Sequence, residues 1–145
     1  MNLIDAIQAL SLREKEELYS HIGKLIQEEK FYKEEERVRK MEKDERVRKM
    51  EEVKMSVCAA MNLTTYDPRS RERQNVIVRI ITANIFLRMG YTEDSIGKAM
   101  RKDHSTIHHY KEIMNTWIKY PGFYKEELTI WNQIKKEYEI DQRTI

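Results

Sequence analysis

The chain has 145 residues, 40% of them hydrophobic and 36% charged, with a formal net charge of +2, which suits one compact domain with appendages or at most two small ones. A single Cys58 excludes an intramolecular disulfide and fits a reducing compartment. No apolar run nears the roughly 20 residues of a membrane span, and the opening MNLIDAIQALSL lacks a secretory signal's basic start and cleavage site, so a cytoplasmic chain with no membrane partner is expected.

With only 4 Gly and 2 Pro, the long uninterrupted stretches favour helix throughout, an all-α chain. Residues 1–30 read as a helical pair. Leu3, Ile4, Ile7 and Leu10 form one apolar stripe, and Leu18, Tyr19, Ile22, Leu25 and Ile26 form a second. Ser11 followed by Glu14 is a capping-box signature for the second helix. Two such helices hold too little core to stand alone, so they are expected to pack on the rest of the chain, on a second copy as a homodimer, or on a protein partner.

Residues 31–49 form a charged spacer. Twenty of the 27 residues from 28 to 54 are charged, ten of each sign, and acid-to-base i,i+4 pairs recur, among them Glu29–Lys33, Glu35–Arg39 and Glu42–Arg46. Each such pair supports a helix by about 0.2–0.5 kcal/mol. The repeat ERVRKMEK (36–43) and ERVRKMEE (45–52) is offset by nine residues. That offset turns the second Val–Met pair about half a turn from the first, which disfavours a coiled coil and favours a solvated helix, the alternative at this charge density being disorder.

A globular domain is expected over 50–120, with a C-terminal helix packed on it over 121–145. NLTTYDPRSRER (62–73) is a loop carrying Arg69, Arg71 and Arg73. Gln74 to Met89 is the most apolar helix and is stopped by Gly90. Thr92 caps a short helix in which Ile96, Ala99 and Met100 face inward, and Gly97 implies a close crossing. Asp103 caps the next helix, with a buried stripe of Ile107, Tyr110, Met114 and Ile118. Pro121–Gly122 breaks that helix, and a last one runs through Leu128, Trp131, Ile134 and Tyr138.

Charge is uneven along the chain. Arg69 to Lys119 holds ten Lys/Arg against five Asp/Glu, the footprint of a polyanion binder. A short helix, a tight connection and a longer helix with a polar first turn form a helix-turn-helix, whose second helix enters the major groove end-on. That first turn lies in RKDHSTIHHYKEI (101–113). His and Ser/Thr offer donors and acceptors to base edges, and Asp can accept from a cytosine amine. Arg101 and Lys102 flank the turn where phosphates would lie. Zinc on His104 and His108, four apart, lacks a further ligand at a recognisable spacing. His/Asp catalysis lacks a nucleophile motif, so no enzyme is read. Trp117 and Trp131 read as core.

The segment DPRSRERQNVIVRIITANIFLRMG…SIGKAMRKDHSTIHHYKEIM resembles the C-terminal DNA-binding domain of the bacterial replication initiator DnaA, a Trp-repressor-like helix-turn-helix, over about residues 50–118. The shared features are the basic loop, the long apolar helix, the Ile96–Gly97 pair, and KDHSTI followed by His109. The resemblance implies base contacts from Asp103, His104, Ser105, Thr106 and His109. It implies minor-groove entry by Arg69, Arg71 or Arg73, and phosphate contacts from Arg79, Lys98, Arg101, Lys102 and Lys111. The link MRK is one residue shorter than the family's. No GxxxxGK[ST] phosphate loop is present, so no nucleotide or other cofactor is expected. The expected function is sequence-preferring binding of double-stranded DNA, as in a transcription or replication regulator of phage or mobile-element type. The alternative is a helical interaction protein that keeps the fold without DNA binding.

Overall fold

Helices make up the regular structure of the computed structural model, which describes residues 2–143 and the side chains of residues 2–138. In chain order they are α1 (Leu3–Gln8), α2 (Leu12–Ala60), α3 (Arg73–Arg88), α4 (Glu93–Met100), α5 (His104–Lys119) and α6 (Lys125–Arg143), with no strand among the described residues. The all-α reading stands. The chain divides into two units, Met1–Asp44 and Glu45–Ile145; residues 144–145 and the side chains of 139–143, within the expected C-terminal helix segment, lie outside the described residues.

In the first unit the capping chemistry is local and complete. The Asn2 side chain accepts from the Asp5 N–H at 2.8 Å. Ser11 Oγ accepts from the Glu14 N–H while Glu14 Oε1 accepts from the Ser11 N–H, both at 3.2 Å, the reciprocal pair that the spacing predicts. The helical pair's second member runs on without a break into the charged spacer. From Lys24 to Ala60 there is neither Gly nor Pro, and nothing else stops the hydrogen-bond ladder, so the second N-terminal helix, the charged spacer and the entry to the core are one helix. Of the expected ion pairs, Glu29–Lys33 closes at 3.2 Å and Glu35–Arg39 reaches 4.0 Å, while Arg37 pairs with Glu34 instead at 2.6 Å. No described residue of this unit is buried, and Tyr19, Ile22, Leu25 and Ile26 all stand exposed.

The second unit is built around α3, in which every residue from Ile77 to Phe86 is buried, as expected of a helix apolar over most of its circumference. Met50, Val53 and Val57 from the end of α2 share its core with Ile96, Ile107, Trp131 and Ile134. Asn84 bridges α3 to α5: its Nδ2 donates to the Ile80 carbonyl at 2.7 Å and to the Tyr110 carbonyl at 3.1 Å. The α5 stripe needs one correction. Ile107, Tyr110 and Met114 are buried, but Ile118 is 55% exposed and Trp117 takes the inward place at 5%. The indole lies 6.2 Å from the Tyr124 ring and closes that end of the core.

Three successive helices end in the same way. Asn62 (φ 55), Gly90 (φ 95) and Arg101 (φ 57) each take a left-handed conformation. In each case two backbone bonds fold the last turn shut: Asn62 N–H to Ala59 and Leu63 N–H to Cys58, Gly90 to Leu87 and Tyr91 to Phe86, Arg101 to Lys98 and Lys102 to Gly97. The Phe86–Tyr91 ring contact at 5.1 Å supplies the apolar clasp that accompanies this closure. Asn and Gly tolerate the left-handed region; Arg101 is held there against a cost of about 1–2 kcal/mol.

Candidate nucleic-acid interface

The link Arg101–Asp103 joins α4 to α5 in three residues. Thr92 caps α4, its hydroxyl accepting from the Ser95 N–H at 3.1 Å. Gly97 explains the shortness of the link. A Cβ there would stand 2.7 Å from the Lys102 carbonyl oxygen and 3.3 Å from the His104 backbone nitrogen. What crosses closely is therefore the link and the start of α5.

Asp103 occupies the cap position of α5, yet its side chain makes no capping hydrogen bond. Its carboxylate stays outside the helix, with Asp103, His104, Ser105 and His109 exposed, Thr106 half-buried, and Ile107 fully buried beneath them. The first turn of α5 thus presents one polar face whose donors and acceptors are not consumed by the cap. Arg101 is exposed and Lys102 half-buried beside it. Lys98 pairs with Asp94 at 3.1 Å while staying largely solvated, and Lys111 is exposed.

His108 is drawn away from this face. Its Nδ1 lies 3.0 Å from Glu93 Oε1 on α4 and its Nε2 3.2 Å from Glu112 Oε1 on α5. The hydrogen bond to Glu93 and that carboxylate's charge hold the imidazole pKa above its ordinary value. His104 and His108 therefore do not form a ligand pair. Among the described residues, no three His, Cys, Asp or Glu side chains converge as metal ligands, and no helix is long and apolar enough to cross a membrane.

The basic loop is shaped from below by α3. Asn75 Oδ1 accepts from the Asp67 N–H at 3.1 Å. Asp67 Oδ1 then accepts from the Arg69 N–H at 2.9 Å, and Ser70 Oγ from the Glu72 N–H at 3.1 Å, two side-chain turns in succession. Arg79 corrects the expectation of a phosphate contact. It is 5% exposed and points into the loop: its Nη1 donates to the carbonyls of Pro68 at 2.8 Å and Asp67 at 3.3 Å, and its Nη2 to that of Ser70. A guanidinium in the most apolar helix is there to satisfy carbonyls that a tight loop leaves unpaired. Arg73 is also committed, to the buried carboxylate of Glu127 on α6. Arg69 and Arg71 remain exposed on the loop.

One cleft joins the two halves of this face. Pro68 and Arg79 line it together with Arg101 and Lys102, so the loop that carries Arg69 and the link that carries Arg101 border the same opening. The residues that the pattern did not single out are those that hold this frame: Asn75, Asn84 and Glu127. Asn75 follows Arg73 and Gln74 and does not stand out, whereas Asn84 is a lone polar residue in an apolar run of α3, a signal open to reading. Glu127 has none, because its partner Arg73 lies 54 residues away. Comparison of the chain with family models, with curated proteins and with solved structures finds no match.

Proposed function

We propose that this chain binds double-stranded DNA with sequence preference, through a DnaA-like helix-turn-helix formed by α4, the 101–103 link and α5. In this reading the first turn of α5 lies in the major groove. Asp103, His104, Ser105 and Thr106 meet base edges, and His109 lies one turn further along. Arg69 and Arg71 enter the adjacent minor groove, and Lys98, Arg101, Lys102 and Lys111 sit against phosphates. The observation that carries the reading is the uncommitted polar first turn of α5, exposed at Asp103, His104 and Ser105 beside Arg101 and bordered by the loop of Arg69 and Arg71. A cap residue normally turns its carboxylate onto its own helix, whereas here that carboxylate is left for a partner.

Four phosphate contacts give a slope of log K against log salt near −4, at about 0.9 per contact. Residues 2–30 belong, in the same reading, to association with a second copy or a protein partner, since Tyr19, Ile22, Leu25 and Ile26 lie exposed at helical spacing. The role that fits is a regulator of transcription or replication.

The test is selection of duplexes from a random pool, followed by affinity measurements across salt. The winning sequences should share a motif, and the salt slope should fall near the stated value. Arg101→Ala should weaken binding to all duplexes alike, while His104→Ala should flatten the preference at particular base positions, each by about 1–3 kcal/mol. Failure to retain any duplex at low salt overturns the proposal and leaves a helical interaction protein.

A further inference from the structure

The cleft between the basic loop and the 101–103 link has a second property. It is a partly open cleft of about 300 Å³, the lower end of the range for small-molecule sites. Met50, Ala99 and Met100 give it apolar walls, and four cations line it: Lys54, Arg79, Arg101 and Lys102. Glu51 is the one carboxylate in the lining, and it is already paired with Lys54 at 2.6 Å. Arg79 has its bonds to backbone carbonyls and no carboxylate within ion-pair distance among the described residues. Its positive charge is therefore buried without a counter-charge.

Two polar atoms deepen the imbalance. Arg79 Nε and Thr82 Oγ1 are buried and find no hydrogen-bond partner among the described residues. Both belong to residues that line the cleft, and Thr82 is 1% exposed. A buried charge left uncompensated carries a desolvation cost that an anion in the cleft offsets through space.

We infer that this cleft is a binding site for a small amphipathic monocarboxylate. The carboxylate lies beside Lys102, in the field of the buried Arg79, and the apolar body lies against Met50, Ala99 and Met100. The cleft's modest volume suits a small ligand, and the single uncompensated buried cation favours one negative charge over several. The site stands on the cleft alone and does not depend on duplex binding.

The experiment is a titration of the full ¹⁵N-labelled chain, without DNA, followed by backbone amide resonances. Three probes of one shape differ in charge: phenylacetate, 2-phenylethanol and 2-phenylethylamine. Phenylacetate should give saturable shifts concentrated at Tyr66, Thr82 and residues 99–102. The alcohol should bind about tenfold more weakly, as the loss of one charge-assisted contact predicts, and the amine should give none. Ala99→Leu, which fills the cleft, should abolish the shifts. Lys102→Gln, at a half-exposed position that leaves the core intact, should weaken the acid about tenfold and leave the alcohol unchanged. The inference is overturned if the three probes bind alike, if the acid's shifts spread over the surface or do not saturate, if no probe binds, or if Lys102→Gln leaves the acid's affinity intact.

Discussion

The two units of this chain use similar sequence patterns to opposite ends. Both carry apolar residues at helical spacing, yet Leu25 and Ile26 in the first unit stand exposed while Ile80 and Ile81 in the second are buried. The first unit has two helical segments and caps that satisfy their own ends; the second has four further helices and the end of α2 converging on α3. Amphipathic spacing says which face of a helix wants cover. Whether it is covered depends on how many other faces the chain brings to it.

The largest expected effect follows from that contrast. Phe86→Ala, at a fully buried ring, should lower unfolding free energy by about 3–5 kcal/mol, whereas Leu25→Ala should move it by less than about 0.5 kcal/mol in dilute protein. Urea unfolding monitored by circular dichroism measures both. A large loss from Leu25→Ala that grows with protein concentration would show the first unit covered by a second copy.

The next effects lie inside the second unit, at the α4–α5 link. Gly97→Ala drives a methyl to 2.7 Å from the Lys102 carbonyl oxygen, backbone that cannot step aside cheaply, and should cost about 1–3 kcal/mol. Arg101→Gly should act in the other direction, gaining about 1 kcal/mol by relieving the left-handed strain while lowering duplex affinity through the lost cation. Thermal melts read the first quantity and fluorescence anisotropy the second. If Arg101→Gly lowered stability and raised affinity together, the strain and the phosphate contact would both be misassigned.

The smallest effect is a pH dependence. Because the folded His108 pKa is raised by Glu93, the protonated imidazole stabilises the α4–α5 contact. That stabilisation is fully present below the ordinary histidine range near 6.5 and is lost as pH rises through the raised value. Relative to the native chain, His108→Gln should therefore be destabilised at acid pH and indistinguishable at alkaline pH. Paired melts across pH would contradict this if the gap widened as pH rose.

Local chemistry was legible and long-range chemistry was not. Ser11 with Glu14, Thr92 at its cap and Gly90 at its stop all act within five residues, so their spacing alone determines what they do. The continuity of α2 was equally open to reading from the missing Gly and Pro, but the change from apolar to charged composition near residue 28 suggested a boundary where the backbone has none. Arg79 was harder. Counted as charge it belongs to the basic block; counted as one polar residue in the most apolar helix, four positions from Asn75, it belongs with the loop above. Arg73 with Glu127 could not be read at all, since their meeting depends on how α6 packs.

The way Arg79 grips its loop bears on how the chain can change. It holds main-chain oxygens of Asp67, Pro68 and Ser70 and no side chain of the two exposed arginines between and beyond them. The side chains at positions 69 and 71 are thereby released from keeping the loop's shape, which at 69 uses only the backbone N–H that Asp67 Oδ1 accepts. They can be exchanged for other residues, by evolution or by a protein engineer, without rebuilding the platform that presents them.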